Sequence, residues 1–424
     1  MTPEPRTWAG RLRSVGPGVV FVFTVMGPSD LVANTAAGAT HGYALLWVLA
    51  LAVVFRFMWL NLSARFVLVT GDTLIAGLAR YGRAPLWIAF GAMLMFRHVS
   101  NLAKMLLAGN ALQILLPLPA PLGAKLWSVA FLAAGYAVLV AGGYEAVERA
   151  CKIAVVTLGV TLLAAALAAG PDPAAVARGL IPSLPASQGL FGTWLIVMAL
   201  IGTEAGSLTN ISYSYFVWRK GWRDVSAARR QRADLILSVC GLFLAGVLLQ
   251  VTAASAFSGV TQLRSVDDLA RVFTGRFGQA GLMVFSAGLL GQVYLGLVGG
   301  TTGYALAGAD IWRLLRARSS PTPAPDTSAA PQMYRALIAF WIFSPLYALF
   351  TTWKPVTLAL ASSLVMAAFI PLLAAGLLLL TNDRSRMGAH AARPAENLAL
   401  IALALISAGL LWATLWPMLH EAAA

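Results

Sequence analysis

The sequence of 424 residues is poor in cysteine, histidine and charge. Cys151 and Cys240 are its two cysteines, and neither they nor the four histidines have metal-type spacing, which excludes a disulfide framework and a zinc cluster. Charged residues make up 11% of the chain, far below the ~25% of soluble globular domains. The sequence also lacks a paired nucleophile and base and a phosphate-binding glycine loop, so it predicts neither an enzyme nor a cofactor.

The chain is rich in apolar residues. They make up 59% of it, and the mean hydropathy is +0.78. Many apolar runs are long enough to cross the ~30 Å of hydrocarbon in a bilayer as a helix. The sequence therefore predicts an all-α polytopic membrane protein, with the lipid bilayer as a partner. The predicted spans lie near 16–38, 43–68, 85–117, 124–142, 151–169, 189–216, 234–257, 278–306, 334–352, 355–381 and 396–417.

The formal net charge is +14, and its distribution separates two kinds of partner. The basic residues are scattered over short loops, which argues against a nucleic-acid partner. With the N-terminus inside, most of them fall on that same side, so the positive-inside rule predicts a cytoplasmic N-terminus and an external C-terminus. Arginine outnumbers lysine 25 to five, as is typical of a GC-rich bacterial genome, and we therefore expect a bacterial inner (cell) membrane.

The first apolar run is interrupted by a turn signal with a carboxylate beside it. Residues 25–31 read Val-Met-Gly-Pro-Ser-Asp-Leu. Proline lacks an amide hydrogen and glycine adds backbone freedom, so the helix is expected to break at Gly27 and Pro28 and to leave carbonyl groups free. Asp30 stands at that break, where an ionisable side chain marks a functional site. Thr24, Gly27 and Asp30 are predicted to line it; the alternative for Asp30 is a helix cap or an ion-pair partner.

A second interruption is predicted in the sixth run, at 202–210, where the sequence reads Gly-Thr-Glu-Ala-Gly-Ser-Leu-Thr-Asn. Breaks in spans 1 and 6 are typical of a 5+5 inverted repeat whose unwound turns meet at a substrate site halfway across the membrane. Asp30 and Glu204 are predicted to bind the substrate through their carboxylates. The other predicted site residues of this segment are Thr203, Gly206 and Ser207.

These breaks define the predicted organisation of the chain. Span 11 is additional to the two five-helix repeats, and two polar loops, 217–233 and 312–333, are too short to form soluble domains. The predicted units are a cytoplasmic N-terminal segment (1–15), a first repeat (16–170), an external loop (171–188), a second repeat (189–381), and a linker with the eleventh helix (382–424).

Three polar residues share one face of the predicted third helix. Arg97, Asn101 and Lys104 recur at spacings of four and three, which places them on one stripe. Such a stripe within a membrane indicates a buried polar network or a wet passage. Lys104 is predicted to act as a counter-ion to Asp30 or Glu204 in the empty site, and a fixed charge there would equally replace a co-transported proton.

Two segments resemble signatures of the Nramp family of metal-ion transporters, a branch of the LeuT-fold carriers. Residues 42–47 read Gly-Tyr-Ala-Leu-Leu-Trp and residues 62–71 read Leu-Ser-Ala-Arg-Phe-Val-Leu-Val-Thr-Gly, similar to the family's Gly-Tyr-Ser-Leu-Leu-Trp and Leu-Ser-Ala-Arg-Leu-Gly-Val-Val-Thr-Gly. The resemblance implies a LeuT-type fold, with a 5+5 inverted repeat, an eleventh helix, and broken helices 1 and 6. Weaker similarities lie at 201–203, 212–214, 291–292, 300–303 and 362–371.

The departures from the family pattern fall on functional positions. The resemblance places Gly27 and Asp30 where the family has the metal-binding Asp and Asn of Asp-Pro-Gly-Asn. The sulfur-bearing Met-Pro-His of the sixth span is replaced by residues 206–208, and the acidic pair of the third span by Asn101 and Lys104. A tenth-span glutamine becomes Phe369. Loss of the thioether favours harder ions such as Mg²⁺.

Taken with the resemblance, these residues predict a secondary transporter of divalent metal cations, with Mg²⁺ or Mn²⁺ as candidate substrates, that works by alternating access. Proton coupling is expected to be weakened or absent. One alternative keeps the fold and carries a small organic solute such as an amino acid; another is a membrane sensor that does not transport. No obligate protein partner is predicted.

Overall fold

A computed structural model describes residues 27–119, 122–141, 159–160, 162–185, 193–205, 208–256, 266–316 and 330–423. All regular secondary structure within these ranges is helical. The helices are α1 (Pro28–His41), α2 (Leu46–Thr70), α3 (Leu74–Leu78), α4 (Ala84–Leu115), α5 (Gly123–Ala141), α6 (Pro173–Arg178), α7 (Thr193–Glu204), α8 (Thr209–Arg219), α9 (Ala228–Ala256), α10 (Val266–Arg316), α11 (Pro331–Phe343), α12 (Pro355–Asn382), α13 (Arg384–Met387) and α14 (Pro394–Ala423). Short 3₁₀ turns lie at Ala79–Tyr81, Val225–Ala227, Ser344–Phe350 and Gly388–His390.

Eight of the helices in these ranges are long and apolar enough to cross a membrane. They correspond to predicted spans 2, 3, 4 and 7 to 11, which confirms a multi-pass membrane protein. The sixth span is divided between α7 and α8. Of the first span the structure describes the part from Gly27 onward, and of the fifth it describes residues 159–160 and 162–169.

The predicted interruption in helix 6 is visible, and of the one predicted in helix 1 the structure describes the side from Gly27 onward. α7 ends at Glu204 and α8 begins at Thr209, so helix 6 is broken as predicted. α1 begins at Pro28 with Gly27 as its N-cap in an extended conformation. A proline in the first turn is favoured because its missing amide hydrogen has no partner in a helix anyway. Thr24, Gly206 and Ser207 lie outside the described residues.

The helices that carry the interruptions lie in the middle of the bundle. α1 packs against α7, α9, α10 and α12, and α7 also contacts α2 and α14. The apolar side chains of α1, such as Leu31 and Val32, are buried. A polar side chain placed on α1 or α7 therefore faces neighbouring helices rather than lipid, and it needs a partner there.

Gly38 allows the close approach of α1 to α9. A Cβ atom built on Gly38 would collide with the carbonyl oxygen of Gln250 and would lie 2.8 Å from the Cβ of Ala253. Gly38→Ala is therefore expected to lower the free energy of unfolding by about 1–3 kcal/mol, the usual cost of overpacking. Unfolding of the detergent-solubilised protein by heat or denaturant measures this loss.

Gly91 in α4 is the matched control, because a Cβ atom there would have no non-neighbouring atom within 4 Å. Gly91→Ala is expected to leave stability unchanged or to raise it by up to about 1 kcal/mol, since alanine is the better helix former. Equal stability of the two variants would refute the tight contact between α1 and α9.

Candidate functional site

Asp30 lies in the first turn of α1 and uses one of its two carboxylate oxygens as a helix cap. Its Oδ2 accepts a hydrogen bond of 2.5 Å from the backbone nitrogen of Gly27. Its Oδ1 is buried and has no hydrogen-bond partner within the described chain. The residue as a whole is 2% exposed. Asp30 therefore caps α1 through Oδ2 and keeps Oδ1 as a buried acceptor without a donor in the described chain.

Glu204 is the last residue of α7 and is also buried with one free oxygen. Its Oε1 accepts a hydrogen bond of 3.0 Å from Nδ2 of Asn34, and its Oε2 has no partner in the parts of the chain that are described. Asn34 also donates to the backbone carbonyl of Asp30, at 2.9 Å. Gln250 in α9 donates to Oδ1 of Asn34, at 2.9 Å, and so fixes the orientation of this bridging amide.

The carboxyl groups of Asp30 and Glu204 lie within hydrogen-bonding reach of each other. Two ionised carboxylates have no proton to share and repel one another, so the pair requires a cation or a proton between its free oxygens. No group of three or more His, Cys, Asp or Glu side chains comes together in the described ranges. Among the described residues the site therefore offers two acidic ligands, supplemented by neutral oxygens.

Arg56 in α2 is the cation that acts on both carboxylates. Its side chain is fully buried, and its charge interacts with Asp30 and with Glu204. Its Nη2 donates to the backbone carbonyl of Thr203, next to the break in helix 6. Its Nε and Nη1 have no hydrogen-bond partner among the described residues. One guanidinium thus places a positive charge near the acidic pair and occupies the carbonyl group of Thr203.

The predicted counter-ion, Lys104, is placed differently. Its Nζ donates to the hydroxyl and to the carbonyl oxygen of Ser100 within α4. It makes no ion pair with Asp30 or Glu204 within the described ranges, although its charge interacts with Asp30 over a longer distance. A counter-ion role for Lys104 therefore stays a prediction. Arg56 likewise makes no ion pair in the described ranges, but its charge acts on both carboxylates.

Arg97 and Asn101 are buried with Lys104, and they tie α4 to its neighbours. Arg97 donates to the hydroxyl of Thr301 and to the carbonyl groups of Gly296 and Leu297 in α10. Gly300 leaves room for it, because a Cβ atom there would collide with the guanidinium.

Asn101 extends this network to α11. Its Nδ2 donates to the carbonyl of Trp341 at 3.0 Å and to Thr301 Oγ1 at 3.4 Å. The stripe is thus a buried polar network, and its part in coupling stays a prediction.

The neutral residues of the predicted site are mostly used by the protein itself. The hydroxyl of Thr203 donates back to the carbonyl of Ala199 at 2.9 Å. The carbonyl of Gly27 accepts a hydrogen bond of 3.0 Å from Gln292 in α10. Gln292 Oε1 and both polar atoms of the Asn210 side chain are buried without a partner in the described chain. Gln292 thus brings a free amide oxygen close to Gly27, and Asn210 carries free polar atoms in the first turn of α8.

Sequence analysis missed Asn34 and undervalued Arg56. Asn34 follows Asp30 by four residues, the spacing that places both side chains on one helix face, so this signal was present in the sequence. For Arg56, an arginine within an apolar span, the sequence predicts a snorkelling or a pairing role. Its burial excludes snorkelling, and its contact with α7 has no local sequence signal because α2 and α7 are far apart along the chain.

Comparison with known proteins identifies the family. The model of the family described as natural resistance-associated macrophage protein-like matches residues 18–417. The chain belongs to the Nramp family. The divalent metal cation transporter MntH of Burkholderia ambifaria is 28% identical to this Nramp chain over 422 residues, covering 96% of the chain and 90% of the relative. The uncharacterized protein PM0681 of Pasteurella multocida is 26% identical over 168 residues, 39% of this chain and 38% of that protein.

Solved structures show the same fold. The manganese transporter of Eremococcus coleocola, in the crystal structure of a point mutant, superposes on the Nramp chain with a TM-score of 0.78 and 18% identity, covering 96% of this chain and 87% of that one. Mhp1, a nucleobase-cation-symport-1 family transporter, gives a TM-score of 0.60 with 13% identity, covering 98% and 96%. The predicted family and the predicted LeuT-type fold are therefore confirmed. The MntH relatives are named as transporters, which agrees with the prediction that the chain is not an enzyme.

Proposed function

We propose that this Nramp chain is a secondary transporter of a divalent metal cation that works by alternating access around Asp30 and Glu204. The observation that carries the proposal is the contact of two buried carboxyl groups, each with an oxygen that has no donor among the described residues. A divalent cation neutralises both charges at once. Without such an ion, each buried carboxylate would need a partner of its own. The names of the MntH relatives support the same class of substrate.

The chemistry of the donors favours a hard ion, with Mg²⁺ or Mn²⁺ as the candidates. The free groups are carboxylate and amide oxygens, and the histidines of the neighbouring helices are used elsewhere: His41 contacts Thr40 and Thr193, and His98 contacts Ser344 and Tyr347. Mg²⁺ is commonly held by one or two carboxylates while it keeps several waters. Two acidic ligands with neutral oxygens match that requirement.

Proton coupling is proposed to be weakened or absent. Asn101 and Lys104 stand where the family resemblance expects acidic residues, and neither carries a carboxylate that could relay a proton. Their polar atoms donate to Trp341, Thr301 and Ser100. A helix face built from amide and ammonium donors supports a fixed positive charge rather than a proton path.

The proposed orientation has the N-terminus in the cytoplasm and the C-terminus outside. Ion pairs join basic helix ends at one surface of the bundle: Arg65 with Glu396 at 2.5 Å, and Arg386 with Asp72 at 2.5 Å. These residues come from segments that the charge distribution assigns to the same side. Their meeting in space supports that grouping, and the positive-inside rule makes this side the cytoplasmic one.

A second candidate function is favoured by unpaired donors in the same site. Arg56 Nε and Nη1 and the amide of Asn210 are buried without acceptors in the described chain. A zwitterionic solute such as an amino acid would supply an amine to the acidic pair and a carboxylate to these donors. If the substrate is a metal ion, these donors would instead bond to water that is bound to the ion.

Flux into proteoliposomes separates the candidates. Purified protein is expected to accumulate Mn²⁺ or Mg²⁺ saturably, with less than a twofold change when a pH gradient is imposed. A matched vesicle preparation with empty liposomes is the control for leak. Uptake of an amino acid without any response to divalent ions would replace the metal proposal with the second candidate. Ion-dependent thermal stabilisation without flux would instead indicate a sensor.

A further inference from the structure

A groove runs along the lipid-facing surface of the bundle between α3, α4 and α12. Its inner part is lined by apolar and aromatic side chains, among them Trp59 and Leu208. Its outer part has a polar rim formed by Asn382, Asp383 and Arg384. The two parts are continuous because they share three lining residues: Tyr81, Ala375 and Leu379. The groove therefore has an apolar end inside the membrane and a polar end at its surface.

The depth of the groove matches one leaflet of a bilayer. From Asn382 at the end of α12 back to Leu372, the helix rises ~15 Å at ~1.5 Å per residue, which is half of the ~30 Å hydrocarbon thickness. Large apolar side chains along the groove are exposed, with Ile88 at 49% and Leu379 at 53%. A membrane-spanning chain presents such side chains to acyl chains, so the groove opens to lipid rather than to water.

The charge at the polar end selects among lipids. Arg384 is exposed and has no ion pair within the described residues. The carboxylate of Asp383 accepts from the backbone nitrogen and the hydroxyl of Ser385, so it caps α13 rather than pairing with Arg384. Arg80, which lies 3.9 Å from Asp72, and Arg83 are exposed on the turn that carries Tyr81. Positive charge thus exceeds negative charge around the rim, as suits an anionic headgroup.

We propose that this groove binds an anionic membrane phospholipid, with one acyl chain in the apolar part and the headgroup beside Arg384. The site is separate from the acidic pair and does not depend on the proposed transport function. Its deep end includes Leu208 and Ile211 at the break between α7 and α8, so the bound acyl chain packs against the broken helix 6.

Native mass spectrometry of the full chain tests the proposal with dioleoyl-phosphatidylglycerol and dioleoyl-phosphatidylethanolamine as probes. The wild-type protein is expected to retain the anionic lipid at about fivefold lower concentration than the zwitterionic lipid, since one basic residue near a membrane contributes about 1 kcal/mol. Arg384→Gln is expected to reduce that preference while lipid binding remains. An unchanged preference in this variant would refute the headgroup position.

A larger side chain at position 375 would block the groove, because Ala375 is exposed and lines both of its parts. Ala375→Trp is expected to weaken phosphatidylglycerol binding at least ~tenfold. Ala408→Trp, on an exposed position of α14 outside the groove, is the matched control and is expected to bind as wild type. Equal binding by both variants, or equal loss in both, would overturn the proposal. Thermal unfolding of each variant checks that the fold is retained.

Discussion

Asp30→Asn is expected to weaken Mn²⁺ binding at least ~100-fold and to abolish saturable uptake. The change removes the charge on a buried oxygen that has no partner in the described chain, and even loss of a group behind a metal ligand commonly costs 10–100-fold in affinity. The amide oxygen of asparagine still accepts from Gly27, so the cap of α1 is retained. Isothermal calorimetry and proteoliposome flux measure the two effects.

Asp310→Asn provides the control for a buried aspartate that has all its partners. Asp310 accepts hydrogen bonds from Thr73, Tyr215 and Arg313 and is 4% exposed. Its replacement is expected to reduce stability by about 3 kcal/mol, as for a broken buried ion pair, with Mn²⁺ affinity unchanged. Equal loss of affinity in both variants would show that Asp30 acts through folding alone, and full affinity in Asp30→Asn would remove it from the binding site.

Arg56→Gln is expected to separate stability from cation affinity. Without the guanidinium, the acidic pair loses the cation that partly neutralises it, so the ion-free protein should lose about 3–5 kcal/mol of stability. Affinity for Mn²⁺ should rise tenfold or more, because a nearby positive charge no longer opposes the ion. The thermal shift on adding Mn²⁺ should therefore be larger than in wild type, although the variant starts from a lower melting temperature.

Arg97→Gln is the matched control for Arg56→Gln. Arg97 is also buried, at 3% exposure, but its hydrogen bonds go to the carbonyl groups of Gly296 and Leu297 and to Thr301. This variant should lose stability and keep the wild-type Mn²⁺ affinity. A smaller Mn²⁺ shift in Arg56→Gln than in wild type would mean that the arginine supports ion binding rather than opposing it.

Most of the fold could be predicted because its signals are local. Length and apolarity of a run decide whether it spans a bilayer, and eight predicted spans appear as full helices in the described residues. The break in helix 6 was also predictable, since small and polar residues at 202–210 interrupt an apolar run. Signature residues at 42–47 and 62–71 pointed to the family that the comparison then identified. Unit boundaries and the roles of Thr24, Gly206 and Ser207 stay predictions.

The partners within the site could not be predicted, because helical periodicity gives the face of a residue but not the helix it meets. The sequence by itself determined that Asp30 and Glu204 are acids placed at interruptions in membrane helices. Only the tertiary structure shows that Asn34 joins the backbone of Asp30 to the carboxylate of Glu204, and that the charge of Arg56 acts on both acids. The physical reason is that charge pairing depends on distances across separate helices, which are set by the packing of the whole bundle.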